Sequence, residues 1–199
     1  MSASWESGPG SPAAPSAEIH VWRADLGPVG ARELRPAGRW ALRRVLARYL
    51  GEDPADLALS AGDHGKPALA GPRPRLGFNL SHSGEIALIA VAGEREVGVD
   101  IERADDKRDV LRLAEVGLDP EEAAAVRAAS PAARAAAFYA AWVRKEAVAK
   151  CLGVGLGADL PRGPVRVSKL DAGSGYAAAI AVAGSVELPL RRFVLPAGG

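Results

Sequence analysis

The 199-residue chain carries 25 Lys and Arg against 24 Asp and Glu, a formal net charge of +1, with 48% hydrophobic and 25% charged residues. That length sustains one good-sized domain or two small lobes sharing a core, and the composition excludes a mainly disordered chain. So small a net charge gives no global field for nucleic acid, so any phosphate site must be local, while the lone Cys151 excludes an internal disulfide and a cysteine-based zinc cluster and suits a reducing compartment.

The opening "MSASWESGPGSPAAPSA" has neither a basic start nor an apolar run, so it reads as neither a signal peptide nor a membrane span. Its Ser, Gly, Pro and Ala predict a disordered tail over 1–17. The expected location is the cytoplasm, with no membrane and no nucleic-acid partner. "IHVWRADL" (19–26) alternates like an edge or half-buried strand. "RWALRRVLARYLG" (39–51) predicts an amphipathic helix with Trp40, Val45, Leu46, Tyr49 and Leu50 on its core face and a stop at Gly51. Arg43, Arg44 and Arg48 form a basic, solvated face. After a Pro- and Gly-rich loop, "FNLSHSGEIALIAVAGEREVGVDIE" (78–102) reads as two strands joined by "AGERE", a hairpin.

The second half repeats the plan. Shifted by 91 residues, 83–97 falls on 174–188 with nine identities in fifteen positions; shifted by 102, "WALRRVLARYLG" (40–51) falls on "WVRKEAVAKCLG" (142–153). Two copies with so long a period make a duplicated lobe rather than a solenoid. The predicted fold class is therefore α/β (α+β), a pseudo-dimer of duplicated lobes, 18–104 and 105–199, about a pseudo-two-fold axis, with the site in the seam. The extra loop "DHGKPALAGPRPR" (63–75) breaks the symmetry.

Asp100 and Glu102, two apart in a strand, leave the same face while Val99 and Ile101 turn to the core. They are either a solvated strand end or hard oxygen ligands suited to Mg²⁺. Trp142, Glu146 and Lys150 stand along one helix face, with Lys145 about 100° round from Glu146. They form either a surface ion pair beside a half-buried Trp or a third carboxylate with lysine charges for phosphate. His82 has no second His at metal spacing, so it is a structural histidine or one that binds phosphate or moves a proton. In "HGKPAL" (64–69), Gly65 makes a tight turn, Pro67 fixes it and Lys66 charges its tip. "GVGLG" (153–157) follows a helix and is a stop and loop, with no dinucleotide context.

"GKP", "FNLSHS", "VGVDIE" and "FYAAWVRKEAVAK", in this order, resemble the two-lobed, Sfp-type 4'-phosphopantetheinyl transferases over residues 19–195. The resemblance implies transfer of phosphopantetheine from coenzyme A to a serine of an apo acyl, polyketide or peptidyl carrier protein, with Mg²⁺ and release of adenosine 3',5'-bisphosphate. It implies a metal held by Asp100, Glu102 and Glu146, with Glu146 also a candidate base and Lys150 facing the diphosphate. It gives Lys66, Ser81 and His82 to the 3'-phosphate, with Arg39, at the start of the first helix, assisting, and counts Pro67 and Lys145 among the residues that bind coenzyme A. The basic residues that the family carries ahead of that helix are matched only loosely, by Arg32 and Arg35. A monomer is expected. The rival functions are a carrier-binding module without turnover and a Mg²⁺-dependent nucleotide-diphosphate hydrolase.

Overall fold

Strands buried on both sides and two long helices with one apolar stripe each stack into four layers: helix, sheet, sheet, helix. The computed structural model describes residues 4–61, 66–71, 75–155 and 163–196. The order is β1 (Glu6–Ser7), β2 (Ile19–Asp25), α1 (Ala31–Leu50), β3 (Leu59–Ala61), β4 (Pro67–Leu69), β5 (Phe78–Ser83), β6 (Ile86–Val91) and β7 (Val97–Arg103). There follow α2 (Val110–Gly117), α3 (Pro120–Ala128), α4 (Pro131–Leu152), β8 (Val165–Leu170), β9 (Tyr176–Ala183) and β10 (Leu190–Val194). The first sheet runs β1-β10-β2-β6-β5, the second β7-β9-β8, and β3 pairs with β4 alone. His64 and Gly65, and the Leu156-Gly157 end of "GVGLG", lie outside the described residues.

β6 shows why both of its faces are apolar. Ala87, Ile89 and Val91 join Leu42, Val45 and Leu46 of α1 in one cluster. Ile86, Leu88 and Ala90 join Val97, Val99, Ile101 and Ile180 in the core between the sheets. Beyond the second sheet, Val143, Ala147 and Cys151 of α4 cover Ala179 and Ala181. No helix among the described residues is long and apolar enough to cross a membrane.

Several expectations meet a different arrangement. α1 begins at Ala31, not 39, so Arg39 lies mid-helix; Glu33 Oε2 accepts the Gly30 N–H at 3.1 Å to cap the entry. Pro36 is tolerated inside the helix on an exposed turn, where water can satisfy the freed Arg32 carbonyl. Trp40 is 46% exposed, and the buried stripe is Gly38, Ala41, Leu42, Val45, Leu46 and Ala47. β2 is an interior strand between β10 and β6. Of its polar residues, His20 is buried, with Nδ1 2.7 Å from the Tyr49 hydroxyl and Nε2 2.8 Å from Glu18 Oε1.

The hairpin predicted across "AGERE" is not formed. The tight turn falls earlier, at Gly84 (φ 57°), pairing β5 with β6, and β7 leaves to pair with β9. A boundary at 104 therefore separates β7 from its sheet, and β10 returns from the second half to pair with β2. Residues 4–17, expected to be disordered, lie along the body: β1 pairs with β10, and the Trp5 indole packs on the inter-sheet core and donates to Asp171 O at 2.9 Å. One large aromatic supplies the apolar area that the Ser- and Pro-rich remainder lacks.

The segments matched by the repeat occupy matching places. In β2-β6-β5 and in β7-β9-β8 the central strand is the one carrying the repeated stretch, antiparallel to both neighbours. α1 and α4 both stop at a glycine with φ 68°, Gly51 and Gly153, whose N–H groups bond Ala47 O and Ala149 O.

Candidate active site

Gly98 decides how close α4 comes. A Cβ at that position would run into the Ala147 carbonyl oxygen and the Cys151 amide, so the helix backbone rests directly on β7. Asp100 and Glu102 follow on the same face, and with Glu146 and Lys150 of α4 they line a cleft of about 360 Å³. Its other side is basic: Arg35 and Arg39 from α1, and His82 from β5. Gly38 makes room for the imidazole, since a Cβ there would stand 2.7 Å from His82 Cδ2.

The acid side is held by a hydrogen-bonded triangle. Lys150 Nζ donates to Asp100 Oδ1 at 2.6 Å and to Ser81 Oγ at 3.1 Å, and the Ser81 hydroxyl donates to the same Asp100 oxygen at 2.7 Å. Asp100 is 3% exposed, and its Oδ2 is buried with no hydrogen-bond partner among the described residues. The Ser83 hydroxyl donates to Glu102 Oε2 at 2.9 Å. Burial pushes the carboxyls of Glu102 and Glu146 up from the usual range, and the charge of Asp100 pushes both further in the same direction. Burial, and then the charges of Lys150 and Arg35, hold His82 below the ordinary histidine value, although a backbone hydrogen bond opposes them. Its Nδ1 too is buried without a partner among the described residues.

These features fit a hard divalent cation: oxygen donors that repel one another and a buried carboxylate oxygen with an unused lone pair. The three carboxylates share the cleft, yet no group of three or more His, Cys, Asp or Glu side chains among the described residues is gathered as a metal site. Asp100 and Glu102 are instead bonded to separate partners, Lys150 and Ser81 for the first and Ser83 for the second.

Of the predicted residues, the structure brings Arg39, Pro67, Ser81, His82, Asp100, Glu102, Glu146 and Lys150 into this cleft. Lys145 is elsewhere, its Nζ 3.3 Å from Asp119 Oδ1, because the 100° step between neighbours turns it toward α3. Trp142 stacks on Phe138 at 5.8 Å in the cluster of α2, α3 and α4. The Lys66 ammonium bonds Glu96 Oε2 at 3.0 Å, Lys150 O at 3.3 Å and Val97 O at 3.4 Å, turned from the cleft. A larger hollow of about 680 Å³ lies around Lys66, Arg75 and Glu96, whose charges are already paired with one another. Sequence reasoning passed over Gly38 and Gly98, and took Ser83 only as one of the hydroxyls neighbouring His82. The alternation of Asn79, Ser81 and Ser83, and a glycine two residues before an acid, were the available signals.

Comparison with known proteins matches residues 96–189 to the model of the 4'-phosphopantetheinyl transferase superfamily. The matched stretch holds Asp100, Glu102, Glu146 and Lys150, whereas the basic side of the cleft precedes it. The chain is 37% identical over 123 residues to a putative 4'-phosphopantetheinyl transferase of Synechocystis, covering 61% of this chain and 50% of that one. It is 35% identical over 122 residues to the 4'-phosphopantetheinyl transferase HetI of Nostoc, covering 60% and 52%. Against the 4'-phosphopantetheinyl transferase AcpT of Escherichia coli it is 38% identical over 128 residues, covering 62% and 64%. The chain thus spans about half the length of the first two of these relatives.

Proposed function

We propose that the chain is a Mg²⁺-dependent transferase that moves 4'-phosphopantetheine from coenzyme A to a serine of an apo carrier protein. The observation that carries this is the cleft where Asp100, Glu102, Glu146 and Lys150 face Arg35, Arg39 and His82. In the proposed step the carrier serine Oγ bonds to the phosphorus nearer the pantetheine. The bond from that phosphorus to the bridging oxygen breaks with its electron pair, and adenosine 3',5'-bisphosphate leaves. Glu146, its carboxyl pushed up by burial and neighbouring charge, is the candidate acceptor of the serine proton. Lys150 supplies a positive charge where negative charge grows on the leaving phosphate. Asp100 through Oδ2, Glu102 and Glu146 would hold Mg²⁺, which when bound supplies charge to the diphosphate oxygens. We assign the 3'-phosphate to His82, Arg39 and Arg35, with Ser81 joining them only by releasing its hydroxyl proton from Asp100. Lys66 would first have to leave Glu96 to reach that phosphate.

The same reading takes the two halves as duplicated lobes about a pseudo-two-fold axis, supported by the shared strand order of the sheets. It takes the chain as a cytoplasmic monomer, consistent with a lone buried cysteine.

Incubation with coenzyme A, Mg²⁺ and several apo carriers, read by intact mass, should add one phosphopantetheine group to at least one carrier. Coenzyme A consumed without that gain would mean hydrolysis, and carrier bound without it a docking module. Glu146→Gln should lower kcat about 10²- to 10⁴-fold with an unchanged circular dichroism spectrum. Unimpaired turnover would remove Glu146 as the base.

A further inference from the structure

The outer edge of β7 faces β5, which belongs to the other sheet, so no backbone ladder closes it. Side chains close it instead. The Val99 N–H donates to Asn79 Oδ1 at 3.0 Å, the Ile101 N–H to Ser81 Oγ at 3.4 Å, and the Arg103 N–H to Ser83 Oγ at 3.0 Å. Every rung joins residue n of β5 to the amide of residue n+20, and the period of two matches the pleat of both strands. The Val99 and Ile101 rungs are buried, where edge amides need such partners, and the Arg103 rung lies at the exposed end of the strand.

The residue type at each rung follows what stands beside it. The residue before Val99 is Gly98, which carries no acid, and there the Asn79 Oδ1 accepts the amide. The residues before Ile101 and Arg103 are Asp100 and Glu102, and there β5 carries serines. A hydroxyl can accept the amide N–H and give its own proton to the carboxylate, which an amide oxygen cannot do. Ser81 and Ser83 both do this, to Asp100 Oδ1 at 2.7 Å and to Glu102 Oε2 at 2.9 Å.

We infer that Ser83 is a positioning residue: its hydroxyl seals the last rung of this ladder and fixes the Glu102 carboxylate for cation binding. The cation part rests on the function proposed above. Ser81 serves Asp100 in the same manner but also meets Lys150, so Ser83 is the cleaner site to test.

The experiment uses the full chain as wild type, Ser83→Ala, Ser83→Thr and Asn79→Ala. Mn²⁺ affinity is measured by electron paramagnetic resonance and amide exchange by mass spectrometry, both without coenzyme A. Ser83→Ala should weaken Mn²⁺ binding about 10- to 100-fold and speed exchange at Arg103. Ser83→Thr, which keeps a hydroxyl, should restore both. Asn79→Ala should speed exchange at Val99 while leaving Mn²⁺ affinity within a few-fold of wild type, separating positioning from general loosening of the seam. Wild-type Mn²⁺ affinity in Ser83→Ala, or no rescue by threonine, overturns the positioning role. Wild type failing to bind Mn²⁺ overturns the cation reading of the cleft, and unchanged Arg103 exchange in Ser83→Ala then overturns the ladder itself.

Discussion

His82 is held in its uncharged form by where its strand puts it, against Gly38 and facing the charges of Lys150 and Arg35. A histidine with a depressed native value stays neutral while the unfolded chain takes up a proton. Its contribution to stability is therefore present above the unfolded value of 6.5 and is lost as pH falls below it toward the native value. Melting temperature should decline between about pH 7.5 and pH 5.5, and His82→Gln should flatten that decline. An equal slope in both proteins would mean that His82 titrates normally. At this scale the sequence was a good guide to residue types and a poor one to direction. Asp100 and Glu102 follow from strand parity, but the ends of lysines do not. Lys66 and Lys145 are charges at plausible spacings whose flexible stems carry them to Glu96 and Asp119, acids that no local pattern links to them.

Pairing of elements is where local pattern stopped being informative. "AGERE" has turn residues and strands on both sides, yet β6 and β7 part there, because β7 has a partner in β9, about 80 residues further on. Gly84 makes the true hairpin inside a stretch that reads as one continuous strand. The helix–sheet contact was legible in kind, since the apolar residues of α4 predict a covered face. Its closeness was not, because that depends on a missing side chain at Gly98. Gly98→Ala drives a methyl into the backbone of α4 at Ala147 and Cys151, which cannot move aside as a side-chain tip can. We expect a loss of about 1–3 kcal/mol in urea unfolding. The proposed transfer activity should fall more steeply than stability, since Glu146 and Lys150 are carried away from Asp100. Full activity together with full stability would show that α4 has slack over β7.

Over the whole molecule, the repeated stretches take corresponding strand positions, but the repeat hides that strands cross between the first and second halves. β7 crosses into the second sheet, and β10 returns to pair in parallel with β2 in the first. Such exchange is invisible to a self-comparison, which reports likeness between segments and not which segments touch. Its energetic consequence is a shared fate. Phe193 of β10 is 2% exposed and packs on Trp22 of β2 with ring centroids 4.9 Å apart, so Phe193→Ala should cost about 3–5 kcal/mol. If the halves unfold as one unit, that loss appears equally in the exchange of the slowest amides of β6 and of β9, although β9 does not pair with β10. Native-state hydrogen exchange on the variant decides the matter: acceleration confined to β2 and β6 would show that the second sheet and α4 hold together without the first.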